Sequence, residues 1–413
     1  MRAIAFAVVA VINCNSQPTE TPAPSRPPPR AQPAKPTARP GPVDPIIDVA
    51  SHSFHSCALR KAGSVSCWGR NVYGELGDGT RNNSQARVAV AGLADATQVV
   101  TGRDFGCALR KAGSVVCWGN NENGQLGDGR GAKVGARSPR PVKVAKLGKV
   151  TQLVAGDWHA CALEQGGAVR CWGNGENGQI GSDANRAFAT PVPISQLGPV
   201  RQLASGSNHL CALQQDGRVK CWGRNTEGQL GDGKSGSRIK PVFVSGISSA
   251  KAVWSGHTFT CAALDNGVVR CWGDNKKAQL GPKGGRDPKW NAPIPLDGMK
   301  GVAQIVGGPE HACARLSTGR VTCWGSNEDG RALGKGRGVV SKPTPVRGVS
   351  DAIAIAAGLS HTCAVRRSGD VVCWGAPADA ALGPQRLASN DLFRYDGSYA
   401  NPPAAALART WSL

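Results

Sequence analysis

Fourteen of the fifteen cysteines in this 413-residue chain stand in seven couples: Cys57/Cys67, Cys107/Cys117, Cys161/Cys171, Cys211/Cys221, Cys261/Cys271, Cys313/Cys323 and Cys363/Cys373. Nine residues separate the members of each couple, and the second always opens the triplet Cys-Trp-Gly. Thiols so placed could form disulfides, stay reduced or hold a metal. Zinc sites normally bring two cysteines within a C-x₂₋₄-C step, and no such step is present. Histidine stands two residues before the first cysteine in five couples (His55, His159, His209, His311 and His361), and Phe105 and Phe259 take that place in the other two. Imidazoles in register could ring an axis and bind metal. Phenylalanine at the same position favours a repeated packing role instead.

The elements that carry these residues follow from turn chemistry. From one Cys-Trp-Gly to the next the steps are 50, 54, 50, 50, 52 and 50 residues, the mark of a repeated supersecondary unit. Setting Cys57 opposite Cys67 pairs Leu59 with Val65 and Arg60 with Ser64, leaving Lys61-Ala62-Gly63 at the tip. A three-residue hairpin loop typically needs positive φ at its last position, where glycine is free of steric cost. Glycine stands there in every unit: Gly63, Gly113, Gly167, Gly217, Gly267, Gly319 and Gly369. The register predicts one antiparallel hairpin per unit with its cysteines directly opposed, close enough for a disulfide. Closing such a loop contributes roughly 2.5–3 kcal/mol on the chain-entropy account.

Around the hairpin each unit repeats a short apolar strand, a Gly-x-x-His-x-Cys-Ala-Leu strand, Val-x-Cys-Trp-Gly, Asn-x-x-Gly-Gln-Leu-Gly, a polar loop and a Pro-Val-x-Val strand. Helical periodicity is nowhere sustained. About four short strands per fifty residues, seven times over, predict an all-β, seven-bladed β-propeller over 46–413, with repeat cores near 51–79, 101–129, 155–181, 205–233, 255–281, 307–334 and 357–383. A solenoid would need distinct polar caps, and both ends of the array read as ordinary repeats. The early strand Ile46-Ile47-Asp48-Val49, and the lack of a strand after Asn401-Pro402-Pro403-Ala404, suggest that the N-terminal strand completes the last blade and closes the ring.

Copies such as His209-Leu210-Cys211-Ala212-Leu213, Val219-Lys220-Cys221-Trp222-Gly223 and Asn225-Thr226-Glu227-Gly228-Gln229-Leu230-Gly231 resemble the regulator of chromosome condensation repeat family. The resemblance covers nearly all of 46–413 and itself implies a seven-bladed propeller that acts through its loop faces. The paired cysteines depart from the nuclear members and suit a bacterial, exported subtype. Inhibition of an enzyme, as a related-looking secreted propeller inhibits β-lactamase, is one form such action takes. Nucleotide exchange on the small GTPase Ran, the founding member's activity, fits least, given export and disulfides.

Disulfides persist outside the cytosol, so an export signal is expected. Residues 1–14 read as one: Arg2, then the apolar run Ala3 to Ile12, too short to span a bilayer. The run ends Val11-Ile12-Asn13-Cys14, which resembles a bacterial lipobox, with Asn13 where a small residue is expected. Cys14, the unpaired fifteenth cysteine, is the expected lipidation site. An ordinary cleaved signal and secretion is the alternative. Residues 15–45 contain eleven prolines and few large apolar side chains, so they read as an extended, disordered linker that lifts the propeller off a membrane.

No nucleophile elbow, phosphate loop, triad order or paired-carboxylate motif stands out, so no catalytic residue, metal or cofactor is assigned and the chain reads as non-enzymatic. The aspartates Asp78, Asp128 and Asp232 of Leu-Gly-Asp-Gly supply one carboxylate per loop, which suits a turn better than calcium. The charge says more. Lys and Arg number 49 against 28 Asp and Glu, a formal net charge of +21. Basic residues gather after Leu-Gly: Arg130, Lys133, Arg137 and Arg140; Lys234, Arg238 and Lys240; Lys283, Arg286 and Lys289; Lys335, Arg337 and Lys342. Equivalent loops share a rim, so these residues predict one basic face for a partner. A monomeric scaffold binding a protein is the first expectation. An anionic polymer (extracellular DNA, lipopolysaccharide or acidic glycan) is the second. Solvated surface charge is the bland reading. Aromatic residues are sparse there apart from Trp290, so stacking on single strands is not indicated.

Overall fold

The first blade shows why these residues form a sheet. Strands β1 (Ile46–Ser51), β2 (His55–Arg60), β3 (Val65–Gly69) and β4 (Ser84–Ala89) lie side by side in that order. In this computed structural model, which describes residues 44–131, 133–182, 186–282 and 287–376, five further sheets repeat the pattern with four strands each. A seventh sheet shows three strands within the described residues. The chain folds as an all-β, seven-bladed propeller.

The hairpin register matches the sequence expectation. Cys57 faces Cys67 and Leu59 faces Val65, and the other six units pair likewise. The seven loop glycines have φ between 80° and 100°, which a side chain would strain. Of the three fates open to the paired thiols, the structure takes the disulfide in every blade. The bonds are Cys57–Cys67, Cys107–Cys117, Cys161–Cys171 and Cys211–Cys221, followed by Cys261–Cys271, Cys313–Cys323 and Cys363–Cys373. All fourteen of these residues are buried.

Ring closure differs from the expectation. Strand β1 pairs with β2 in its own blade and does not complete the seventh. Its pattern explains this. Ile46 and Val49 are buried side chains of an innermost strand, and an innermost strand packs against a neighbouring blade instead of extending an outer edge. Ile46, Val49, Ala58 and Trp68 form one core with Ala354, Ala356, Val365 and Val371 of blade seven. The ring therefore closes by side-chain packing. Asn401–Ala404 lies outside the described residues. The folded part starts slightly before 46, because the Lys61 N–H bonds the Pro45 carbonyl and the Ala62 N–H bonds Asp44.

Every seam between blades has the same build. The disulfide of one blade packs beside the tryptophan of the next: Cys57–Cys67 with Trp118, Cys107–Cys117 with Trp172 and Cys161–Cys171 with Trp222. Cys211–Cys221 lies with Trp272, Cys261–Cys271 with Trp324 and Cys313–Cys323 with Trp374, and Cys363–Cys373 meets Trp68 across the closure. The tryptophan N–H also reaches back. Trp118 donates to the carbonyl of Glu75 at 2.7 Å, Trp222 to Gln179 at 3.0 Å and Trp324 to Gln279 at 2.7 Å. These acceptors belong to the loops that follow Cys-Trp-Gly, and the motif's other residues hold the loop in shape. The Asn121 side chain accepts the Leu126 N–H and Gln125 accepts the Asn123 N–H, with equivalents at Asn225 and Gln229.

A second set of ties lies nearer the axis. Gln152 donates to the Leu203 carbonyl at 3.0 Å and accepts the Leu203 N–H at 2.8 Å. Gln98 does the same to Leu153, Gln202 to Val253 and Gln304 to Ile355. Each amide joins two neighbouring innermost strands that are not otherwise paired. Blades one, five and seven carry Asp48, Ala252 and Ala354 at this position.

Two outcomes test this architecture. Mass spectrometry of the folded protein without reductant should find no alkylatable thiol among the fourteen paired cysteines; fourteen free thiols would refute the staples. Gln152→Ala should lower the unfolding free energy by about 1–3 kcal/mol, the usual cost of leaving a buried polar group unpaired, measured by denaturant titration. An unchanged midpoint would show that the amide tie adds nothing.

Candidate functional site

Antiparallel order gives each blade two ends. The connections from strand one to two and from strand three to four leave at one end, the loop face. The cysteine hairpin tips lie at the other. The motif residues therefore divide between structural and exposed roles according to which end they occupy.

The histidines are structural. His209 shares a hydrogen bond with Thr260 of the next blade at 2.9 Å, His311 with Thr362 at 2.9 Å, His361 with Ser56 at 3.1 Å and His159 with Ser205 at 3.2 Å. All five are buried. Burial pushes His55, His159, His209 and His311 down to about 3 and His361 to about 4, so the ring is uncharged near neutrality. Asp78, Asp128 and Asp232 hold turns: Asp128 accepts the Arg130 N–H, Asp232 the Lys234 N–H and Asp78 the Thr80 N–H. Among the described residues, no three His, Cys, Asp or Glu side chains group as a metal site.

The basic residues are less uniform than their spacing implies. Arg130 pairs with Asp128 at 3.3 Å and Arg238 with Asp232 at 3.1 Å, so part of their charge is answered within the loop. Lys289 donates to the Thr226 carbonyl of the preceding blade. The Arg140 guanidinium lies over Gly79, where a Cβ would meet it at 2.8 Å. Lys133, Arg137, Lys234, Lys240, Lys335, Arg337 and Lys342 are exposed. Lys283 and Arg286 lie outside the described residues, as does Cys14.

Sequence reasoning missed what lies beside those loops. Arg70 stands 5.7 Å from the ring centres of both Phe54 and Tyr73 and reaches Asp104 at 3.4 Å. Arg103 stands 5.0 Å from the Trp158 ring. Phe54, Arg70, Tyr73, Arg103 and Trp158 are all half-buried. Desolvation raises the Tyr73 phenol, and the nearby Asp104 and Glu122 carboxylates add to that. Glu122 accepts the Gly135 N–H, which brings the Arg130–Arg137 loop beside the aromatic group. The only sequence signal is the irregularity of the residue before each histidine or phenylalanine: Phe54, Asp104, Trp158, Asn208, Thr258, Glu310 and Ser360.

Comparison with known proteins agrees with this geometry. The description "RCC1-like domain" matches residues 132–393, and "Regulator of chromosome condensation (RCC1) repeat" matches 46–75 and 96–125. The chain belongs to the RCC1-like family. Within it, the probable E3 ubiquitin-protein ligase HERC4 of Homo sapiens is 30% identical over 153 residues, covering 34% of this chain and 13% of the ligase. The ultraviolet-B receptor UVR8 of Arabidopsis thaliana is 29% identical over 139 residues, covering 33% of this chain and 31% of the receptor. The chain thus spans a minor part of these relatives. Among solved structures, human WBSCR16 superposes with a TM-score of 0.71 at 23% identity, covering 78% of this chain and 87% of that one. Yeast RCC1 (Prp20), crystallised with Kap60, gives 0.69 at 22% identity, covering 85% and 86%. These similarities concern the fold. In this RCC1-like chain the seven disulfides mark an oxidising, extracytoplasmic setting.

The buried imidazoles make stability depend on acid. In the unfolded chain they titrate near 6.5, so below that pH the unfolded state takes up protons that the folded ring refuses, and stability falls until about pH 3. Glu75, raised to about 7 by burial, and Asp48, raised to about 6, oppose this, because the folded state holds their protons and loses that contribution as pH rises through 6–7. Asp104 and Asp274, also raised by burial, act in the same sense as these carboxyls. His52 and His257, also lowered, act with the other imidazoles, and seven imidazoles outweigh four carboxyls. The melting temperature should drop from pH 7.5 to 5, and His209→Phe, the residue type of two other blades, should flatten the dependence. A melting temperature that does not fall would contradict this.

Proposed function

We propose that this RCC1-like propeller is a non-catalytic interaction scaffold, anchored outside the cytosol through a lipid on Cys14, which holds a protein partner on its loop face. One observation carries the reading: the Arg70 group with Phe54 and Tyr73, and the Arg103–Trp158 pair, on adjoining blades of that face. Arginine and aromatic side chains dominate the energetic centres of protein interfaces, because they combine large contact area with directional polar groups and few rotatable bonds. Half-buried and held by neighbours, these side chains lose little entropy when a partner covers them. The exposed lysines and arginines around them form the polar rim, where charge mainly raises the association rate. A partner enzyme held this way would be inhibited wherever its active site faced the propeller.

The exposed Lys133, Arg137, Lys234, Lys240, Lys335, Arg337 and Lys342 favour a second reading, attraction to an anionic polymer such as DNA, lipopolysaccharide or acidic glycan. Guanine nucleotide exchange has the least support, since disulfides suit a compartment without that cytosolic chemistry.

Immobilised propeller, challenged with envelope extract and then with each purified captured protein, separates the readings. Trp158→Ala with Arg70→Ala should weaken a protein partner at least tenfold, with little change between 50 and 200 mM salt. Polymer binding would instead collapse by orders of magnitude over that range, and would fail when Arg130, Lys133, Arg137 and Arg140 become serine. Full retention by the Trp158/Arg70 variant would sink the scaffold reading at this site.

A further inference from the structure

At the centre of the loop face one blade departs from the other six. Three residues before the histidine or phenylalanine, blades two to seven carry Gly102, Gly156, Gly206, Gly256, Gly308 and Gly358. These turns pack tightly about the axis: a Cβ on Gly206 would sit 2.6 Å from the Gly256 carbonyl oxygen, and one on Gly358 would collide with that of His52. Blade one has His52 in this position. Its side chain crosses the axis. Nε2 lies 3.4 Å from Asp157 of blade three, and the ring stacks on His257 of blade five, with centres 4.6 Å apart and planes at 26°. Nδ1 is 3.2 Å from Ser53 Oγ. Backbone bonds join the same turns around the ring: Arg103 N–H to Asp157, Asp157 N–H to Ser207 and Ser207 N–H to His257.

Beneath this cluster lies the central channel, a cavity of about 290 Å³. Its upper wall carries the hydroxyls of Ser51, Thr101, Ser205 and Ser255. Thr101 Oγ1, Ser255 Oγ and His257 Nε2 are buried and make no hydrogen bond among the described residues. His52 and His257 are each only 7% exposed, so the imidazole pair closes the channel at this end.

The charges around the pair are unequal. Among the described residues Asp157 is the carboxylate paired with His52, and the buried Asp104 lies beyond it, near Asp157 and Arg103. His257, His55, His159 and Arg103 also face His52, and each disfavours a proton there. Burial and this company hold His52 well below the ordinary imidazole range, and burial lowers His257 too, despite the nearness of Asp157. Two protons would set two cations 4.6 Å apart over a single carboxylate, with Arg103 alongside. Separation, with both rings in water, removes that cost.

We infer that the His52–His257 stack over Asp157 is a proton-sensitive cap on the central channel, closed while both imidazoles are neutral and opened when they take up protons. Opening wets the hydroxyl ring and loosens the turn that carries Asp157 and Trp158. The inference stands whether or not the loop face binds a partner.

Hydrogen-exchange mass spectrometry at pH 7.5 and 5.5, corrected for intrinsic rates, tests it. One unit below 6.5 each imidazole biases the equilibrium about tenfold, and two bias it about a hundredfold. The amides of Arg103, Asp157 and Ser207 should lose at least tenfold protection at pH 5.5, while the strands around Cys107, Cys161 and Cys211 stay protected and show that the fold persists. His52→Gln keeps a donor for Asp157 and leaves His257 as the one imidazole of the pair that titrates, so its turns should lose about tenfold less protection at pH 5.5 than those of the native protein. His52→Gly should leave them exposed at both. Unchanged protection in the native protein, or the same loss in His52→Gln, would overturn the cap. If His52→Gly does not fold, the glutamine variant alone decides.

Discussion

The seam between blades is the interaction on which the rest depends. A single four-stranded sheet has two faces to cover and too little core of its own, so each blade relies on its neighbour. Here the covering is directional. The disulfide of one blade and the indole of the next share one buried cluster, and the indole N–H bonds back to the loop that the first blade sends out. The staple stiffens the hairpin that forms one wall of the seam, and the tryptophan fills the other wall. The glutamine ties act on the same boundary nearer the axis. They give innermost strands of different sheets two hydrogen bonds without making them one sheet. Seven copies in sequence leave the end blades facing each other, and the same packing joins them.

This arrangement leaves the two ends of the ring free to differ. The hairpin end carries paired charges such as Arg110–Asp95, Arg170–Glu164 and Arg366–Asp351. At the loop end, cation–π groups sit beside exposed lysines and arginines. The loops after Cys-Trp-Gly are held by Asn and Gln side chains, which keep their backbones in place while the residues between them vary. Variation is concentrated where strands do not need it. That is where recognition residues are expected on a rigid fold.

Much of the fold is legible in the chain. Cysteine spacing, the loop glycine and the alternation around them specify a hairpin, and the fifty-residue step specifies how many there are. Those are local properties, and a hairpin's register depends on residues within about a dozen positions. Closure is not legible in this way. Ile46–Val49 reads alike whether it adds an edge or lines a seam, and its packing partners, Ala354 and Val365, lie far along the chain. The basic loops are legible as composition, yet the ion pairs of Asp128 with Arg130 and Asp232 with Arg238 depend on how each loop turns back on itself. The aromatic group at Phe54, Arg70, Tyr73 and Trp158 has no period, so no repeat marks it.

Residue types and spacing are enough for the repeat, the hairpin, its disulfide and the packing role of the histidine position, each set by neighbours close in the chain. What meets at the axis and across the seams depends on the closed ring. His52, Asp157 and His257 come from three different blades, and Gln98 ties its own strand to Leu153 of another. The physical reason is geometric. A closed ring brings equivalent turns to one point, so a single departure from the repeat touches residues that no spacing rule connects to it.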